Sequence, residues 1–176
     1  MKKNLALTVT GLFCLFVSCK DSGTTSMADP NQKNLDINAK IIKAIETGDA
    51  ETINSLIADD VVDHMGPSGK EIKGGDSLKP MLIDMHNHMK DLKFDIITTS
   101  ANADYVFTLS KITGTAIDAS MGMPAGTVMN ENVVDLVKIK DGKVIEHWSY
   151  TDPTVMMKQM NESSSMNKKM DSIKAK

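Results

Sequence analysis

The sequence predicts an α+β domain in which about three helices pack on the concave face of a curved, antiparallel sheet. Apolar residues recur at helical spacing through the first half of the chain, from Ile37 to Met89. From Phe94 onward they alternate with polar residues, as they do in half-buried strands. Asp141-Gly142 then separates two segments rich in β-branched residues, which is a strong hairpin signal. Helices followed by an antiparallel meander are typical of the α+β class.

The first 33 residues are expected to lie outside this domain. A basic start precedes a short apolar run over residues 5–17, which is too brief for a permanent membrane span. The segment that ends at Cys19 resembles a bacterial lipoprotein signal, in which the cysteine becomes the lipidated N-terminus; a plain secretory signal is the alternative. We therefore expect a signal peptide over residues 1–18, a flexible tether over 19–33, the domain over 34–160 and a polar tail over 161–176.

These features predict a protein of the bacterial cell envelope that is anchored by lipid. Lys20 follows the cysteine in place of the aspartate that commonly retains lipoproteins in the inner membrane, so the outer membrane is favoured. The chain carries 20 basic and 23 acidic side chains, which gives a net charge of −3. Both signs are interspersed, whereas nucleic-acid binding requires a basic stripe, so no nucleic-acid partner is expected.

The three predicted helices have recognisable ends. Gly48 is suited to end the first helix, and Asp49 to cap the second. Asp76 or Ser77 is expected to cap the third. Their apolar stripes are, in order, Ile37, Ile41, Ala44 and Ile45; Ile53, Leu56 and Ile57; and Leu78, Leu82, Met85 and Met89. A short extended segment over residues 61–65 and strands over 94–99 and 105–116 complete the prediction before the hairpin.

The hairpin over residues 128–152 has two possible registers. A two-residue loop would pair Lys140 with Lys143 and would place Asp135 opposite Trp148. A three-residue loop with a bulge at Gly142 would instead place Asp135 opposite His147. We favour the second register because it gathers Val133, Val137, Ile139 and Ile145 on one face, on which the polar residues are Asp135, His147 and Ser149.

Asp135 and His147 are the candidate catalytic residues. Directly opposed side chains on one sheet face have Cβ atoms about 5 Å apart, so the carboxylate could orient and charge the imidazole. Two groups whose pKa values are driven apart can divide acid and base roles, which suits enolisation of a ketone. Asp63, His64 and Ser149 are the candidate substrate-binding residues. The alternative is an ion pair that only stabilises the sheet.

A second, minor hypothesis concerns Met85, His86, His88 and Met89. Thioether and imidazole ligands suit Cu(I), so these residues could bind copper. On one helix, however, the two methionines face inward while the two histidines diverge to opposite flanks. Core methionines with two surface histidines are therefore the preferred interpretation, and we expect no metal site.

The order of several short motifs resembles the SnoaL-like polyketide cyclases, which share a cone-shaped fold with ketosteroid isomerase and nuclear transport factor two. The motifs are Gly48-Asp49, the stretch 59–64, Gly74-Gly75, the stretch 122–124 and the stretch 138–148 followed by Asp152. The resemblance implies an apolar pocket, acid–base chemistry without metal or cofactor, and a possible homodimer. The acid–base aspartate of the cyclases falls at Ser149 here, their pocket histidine at Asp135 and their pocket asparagine at Asp63.

The sequence thus leads to two function hypotheses. The first is a cofactor-independent cyclase or isomerase acting on a carbonyl compound within a pocket for a small, mainly apolar organic molecule. The second is a non-catalytic ligand-binding or assembly module with the same fold, which the serine at position 149 favours. The fold alone does not choose between them.

Overall fold

The computed structural model describes residues 29–66, 69–154 and 157, and within them it contains three helices and six strands. In chain order these are α1 (Pro30–Thr47), α2 (Ala50–Leu56), β1 (Ile57–Asp63), β2 (Ile72–Lys73), α3 (Gly75–His88), β3 (Met89–Asn102), β4 (Tyr105–Ala116), β5 (Val128–Lys140) and β6 (Lys143–Thr151). The predicted signal peptide with Cys19, most of the tether and the polar tail lie outside the described residues. None of the described helices is long and apolar enough to cross a membrane.

The helix ends follow the sequence signals at two of three positions. Gly48 adopts a left-handed conformation and ends α1, and the Asp49 carboxylate accepts a hydrogen bond from the backbone of Thr52 at the start of α2. The tether prediction is wrong at its end, because α1 already begins at Pro30, where a proline is favourable. The third cap is also wrong: Gly74, and neither Asp76 nor Ser77, precedes α3.

The sheet is mixed rather than wholly antiparallel. Its strand order is β2-β1-β6-β5-β4-β3, and β1 pairs with β6 in parallel, whereas the other neighbouring strands pair antiparallel. The sequence analysis recognised β1 only as a short extended segment beginning at residue 61. In the structure the strand starts at Ile57, which had been assigned to the second helix. This parallel pairing brings Asp63 beside His147.

The helices cover the concave face of the curved sheet, as the α+β prediction requires. The stripe on α1 is buried there, and so are Ile53 of α2 and Leu78 of α3. From the sheet, Val61 and Val106 are fully buried on the same side. Burial of a side chain of this size stabilises the fold by about 1.5–3 kcal/mol. Burial of these apolar side chains therefore stabilises the fold that holds the polar residues of the interior in place.

The turn of the hairpin differs from the favoured prediction. Lys140 pairs with Lys143, and Asp141 and Gly142 have φ values of 52° and 81°, so the loop has two residues. The extra residue lies further along β6: Lys138 pairs with Glu146 while Ile139 pairs with Val144, which leaves Ile145 as a bulge.

The bulge restores the predicted face, although not the predicted pairs. Asp135 lies opposite Ser149, and His147 lies opposite Val137, so Asp135 and His147 are diagonal neighbours rather than a direct pair. Val144 takes the place on the cavity wall that the sequence analysis gave to Ile145. One extra residue at Gly142, as predicted, or at Ile145, as observed, shifts the register of the hairpin by one residue. Either insertion therefore leaves the same set of side chains on the cavity face, which is why that face was predicted correctly.

Candidate functional site

A cavity of about 200 Å³ lies between the helices and the concave face of the sheet. Most of its wall is apolar and comes from α1, α3 and the strands, with Ile41, Ile45, Leu82, Phe94 and Val137 among its members. The polar residues in the wall are Asn38, Asp63, Asp135, His147 and Ser149. An apolar hollow with a few convergent polar groups is the usual form of a small-molecule site.

His147 lies between two carboxylates in this wall. Its Nδ1 is 3.1 Å from Oδ2 of Asp63, and its Nε2 is 3.3 Å from Oδ1 of Asp135. Since ionised carboxylates only accept hydrogen bonds, both ring nitrogens must carry a proton to donate to them. The arrangement is therefore a carboxylate–imidazolium–carboxylate triad, in which the proton belongs to the histidine.

The electrostatics of the triad support this protonation. Burial by itself lowers the pKa of His147, but the hydrogen bonds and the charges of Asp135 and Asp63 outweigh it and raise the pKa to about 9. Burial likewise tends to raise the pKa of Asp63, yet the bonds from His147 and the Met65 backbone lower it below its usual value. At neutral pH the ring of His147 is thus an imidazolium, and Asp63 beside it is an ionised carboxylate.

Both carboxylate oxygens of Asp63 contact groups of the protein itself. It is 5% exposed, and its Oδ1 accepts a hydrogen bond of 2.7 Å from the backbone of Met65 while Oδ2 faces His147. The sequence analysis singled out Asp63 as a substrate-binding residue. In the structure it lines the cavity, but its contacts are those of a residue that positions and charges the imidazole.

Ser149 and Asn38 complete the polar wall. Ser149 lines the cavity, on the face that the sequence predicted, but its partner across the hairpin is Asp135. Asn38 was missed, because a lone asparagine in the apolar stripe of a helix carries no sequence signal for a pocket. It is 6% exposed and its Nδ2 donates a hydrogen bond of 2.8 Å to Oγ1 of Thr108.

His64 does not face the cavity, so the sequence prediction of its position is wrong. The parallel register places Asp63 beside His147 and Val62 beside Glu146, and alternation along β1 turns His64 to the convex side. There its ring stacks on Trp148, with centroids 4.5 Å apart, and its nitrogens contact Glu71 and Glu146.

The proposed copper ligands are held by separate partners. His86 Nδ1 lies 2.7 Å from the carbonyl oxygen of Glu46, and His88 Nδ1 lies 2.8 Å from a carboxylate oxygen of Asp118. Met85 lines the cavity, and Met89 is buried at the start of β3, outside the helix to which it was assigned. Within the described residues, no group of three or more His, Cys, Asp or Glu side chains is arranged to bind a metal ion.

The fold is that of several solved structures. An LEH-like epoxide hydrolase from M. tuberculosis superposes with a TM-score of 0.62 at 16% identity, over 76% of this chain and 93% of that one. A SnoaL-like protein from Jannaschia sp. CCS1 gives a TM-score of 0.64 at 16% identity, over 74% and 92%. IdmH from Streptomyces antibioticus, a proposed polyketide cyclase, gives 0.59 at 24% identity, over 73% and 98%. A comparison with curated proteins gave no significant match.

The sequence itself carries the family assignment. The family model described as SnoaL-like polyketide cyclase matches residues 36–160, which include most of α1, the whole sheet and every polar residue of the cavity wall. The resemblance noted from short motifs is thereby confirmed. The chain belongs to the SnoaL-like polyketide cyclase family.

Proposed function

We propose that the cavity binds a small, mainly apolar carbonyl compound and that the triad catalyses proton transfer at the carbon next to the carbonyl. The observation that carries this proposal is the placement of the triad in an otherwise apolar wall. A carboxylate beside a developing enolate needs an environment that excludes water and keeps the base in place. Isomerisation or aldol cyclisation follows from the same enolate without a cofactor.

The contacts assign different roles to the members of the site. Asp135 is the proton acceptor, because its Oδ1 touches His147 while the residue lines the cavity. His147 holds Asp135 in place and supplies positive charge, and Asp63 keeps the imidazole protonated. Both N–H groups of His147 are occupied by the carboxylates, so the Ser149 hydroxyl is the group that donates to the carbonyl oxygen.

The cavity volume limits the substrate. A cavity of about 150 Å³ lined by aliphatic and aromatic residues accepts benzene. The volume of about 200 Å³ here therefore suits a molecule of one or two rings. The extended tetracyclic skeletons of larger polyketides would not fit without widening the cavity.

Deuterium exchange tests the proposed chemistry directly. Cyclohexanone in D₂O should lose its α-protons faster in the presence of the protein, as followed by ¹H NMR. Asp135→Asn should reduce the catalysed rate by at least about a hundredfold, because general bases typically contribute that much. Asp118→Asn is a matched control, since Asp118 also contacts an imidazole, that of His88, but lies outside the cavity wall. Exchange that is unaffected by Asp135→Asn would refute the role of this carboxylate.

A second candidate is the addition of water to a small epoxide. Asp135 would take a proton from the attacking water while the Ser149 hydroxyl donates a hydrogen bond to the ring oxygen; the C–O bond breaks, and the proton passes from Asp135 to the alkoxide, giving a diol. The structural likeness to an LEH-like epoxide hydrolase is the observation that favours it. Cyclohexene oxide distinguishes the candidates: diol formation without ketone exchange would select hydrolysis. Binding of both compounds without turnover would instead support a non-catalytic binding module.

The N-terminal sequence supports an envelope location as part of this proposal. Cys19 would carry the lipid, and residues 20–29 would connect it to α1. In cells grown with a radiolabelled fatty acid, the full-length protein should be labelled and should be found in the outer-membrane fraction, whereas Cys19→Ala should prevent labelling. Labelling that survives this substitution would exclude lipidation at Cys19.

A further inference from the structure

Asn38 is a buried polar residue of the cavity wall that the triad does not use. It lies in the apolar stripe of α1, between Ile37 and Ile41, and is 6% exposed. Burial of an amide in such surroundings is costly unless its polar atoms find partners. The partners of Asn38 therefore indicate what the amide is for.

The amide has a fixed orientation with one free end. Nδ2 donates to Oγ1 of Thr108 at 2.8 Å, and the Thr108 hydroxyl lies 3.4 Å from that of Thr99, to which it can donate in turn. Oδ1 of Asn38 has no hydrogen-bond partner among the described residues. It is also not among the fully buried side-chain atoms that lack a partner, a group in which the structure has Ser110 Oγ, so Oδ1 retains some accessible surface. Because Asn38 lines the cavity, we infer that this oxygen is the group that the amide offers to a ligand.

The residue that anchors the amide, Thr108, lies one strand away from the catalytic carboxylate. Thr108 pairs directly with Asp135 across β4 and β5, and neighbouring strands are about 4.8 Å apart. A ligand with its carbonyl oxygen at Ser149 and the neighbouring carbon at Asp135 would therefore present the opposite side of a six-membered ring to Asn38. Oδ1 of Asn38 can only accept a hydrogen bond, so a ligand that binds it must carry a hydrogen-bond donor on that side of the ring.

We propose that Oδ1 of Asn38 accepts a hydrogen bond from a hydroxyl group of the substrate, so that the substrate is a small, neutral, monocyclic hydroxyketone. The proposal rests on the proposed function, because it places the carbon next to the carbonyl at Asp135. The charge of the wall, where two carboxylates face one imidazolium, disfavours an anionic substrate. A carboxylate substrate would be repelled, whereas a hydroxyl group satisfies the buried oxygen.

Two matched probes test the proposal: cyclohexanone and 4-hydroxycyclohexanone, with dissociation constants measured by NMR titration. In the wild type the hydroxyl group should tighten binding about fivefold, the usual size of one hydrogen bond. Asn38→Leu keeps the side-chain volume and should abolish this gain, so that the two probes have equal dissociation constants within the variant. Thr108→Val removes the anchor of the amide and should reduce the gain without abolishing it.

The outcomes separate this proposal from the proposed function. A hydroxyl gain that is absent from the wild type, or that persists in both variants, overturns the role of Asn38 even if ketone exchange is catalysed. A gain that Asn38→Leu abolishes supports the role even if Asp135→Asn shows that no exchange is catalysed. If neither probe binds the wild type, both proposals fall, because both require an accessible cavity.

Discussion

The imidazole of His147 should remain protonated up to about pH 9, although it lies in an apolar wall. Two effects compete: burial favours the neutral ring, and the two carboxylates favour the charged ring. The ordinary pKa of a histidine is 6.5, and the two carboxylates raise that of His147 to about 9. At 1.36 kcal/mol per unit, this amounts to about 3 kcal/mol in favour of the charged form.

The raised pKa makes folding stability depend on pH with a definite sign. His147 binds its proton more tightly in the folded than in the unfolded chain, so its contribution is fully present below pH 6.5. The contribution declines as the pH rises and is lost through pH 9, where the folded form also deprotonates. The free energy of unfolding should therefore fall by up to about 3 kcal/mol across this window. The lowered pKa of Asp63 acts in the opposite direction, and its share is lost only in acid.

A pH titration by ¹H–¹⁵N NMR of histidine-labelled protein measures the shift directly. The resonances of His147 are assigned by their absence from His147→Gln, and the other three histidines serve as internal references. Asp63→Asn should lower the pKa of His147 by at least about one unit, since one of two ionic partners is lost. A wild-type value at or below 6.5, or a value that Asp63→Asn leaves unchanged, would refute the charged triad.

Three further predictions concern the fold. Gly142→Ala should lower the free energy of unfolding by about 1 kcal/mol in urea titrations, because residue 142 has a φ of 81°; an unchanged midpoint would contradict the two-residue turn. Ile53→Ala should lower the free energy of unfolding by about 2–5 kcal/mol, since Ile53 is the fully buried residue of α2, and a loss below about 1 kcal/mol would mean that this helix packs loosely. Val134, 39% exposed on the convex face, lies in line with Leu109 and Tyr150, an apolar row suited to a second copy of the chain. If the protein is a dimer by light scattering, Val134→Lys should give monomers, whereas Lys111→Glu on the same face should affect assembly less; a dimer that survives Val134→Lys would place the interface elsewhere.

The face of the hairpin that lines the cavity could be predicted from the sequence, but the residue pairs across the hairpin could not. Period-two alternation fixes which side chains share a face, so Asp135, His147 and Ser149 were placed together correctly. The partner of each residue depends on where the chain inserts its extra residue. A bulge at Gly142 and a bulge at Ile145 place the same side chains on the cavity face. Both strands of the hairpin are rich in β-branched residues, so the sequence does not favour one bulge over the other.

The sequence by itself determined the α+β class, the family, the ends of α1 and α2 at Gly48 and Asp49, and the apolar character of the pocket. These are properties of local chemistry and of spacing, which each segment carries on its own. Only the tertiary structure decided that Asp63 contacts His147 and that His64 turns to the opposite face. Both follow from the parallel pairing of β1 with β6, two strands about 80 residues apart in the chain. Such a pairing is set by how the whole sheet is assembled around its core, and no short stretch of sequence specifies it.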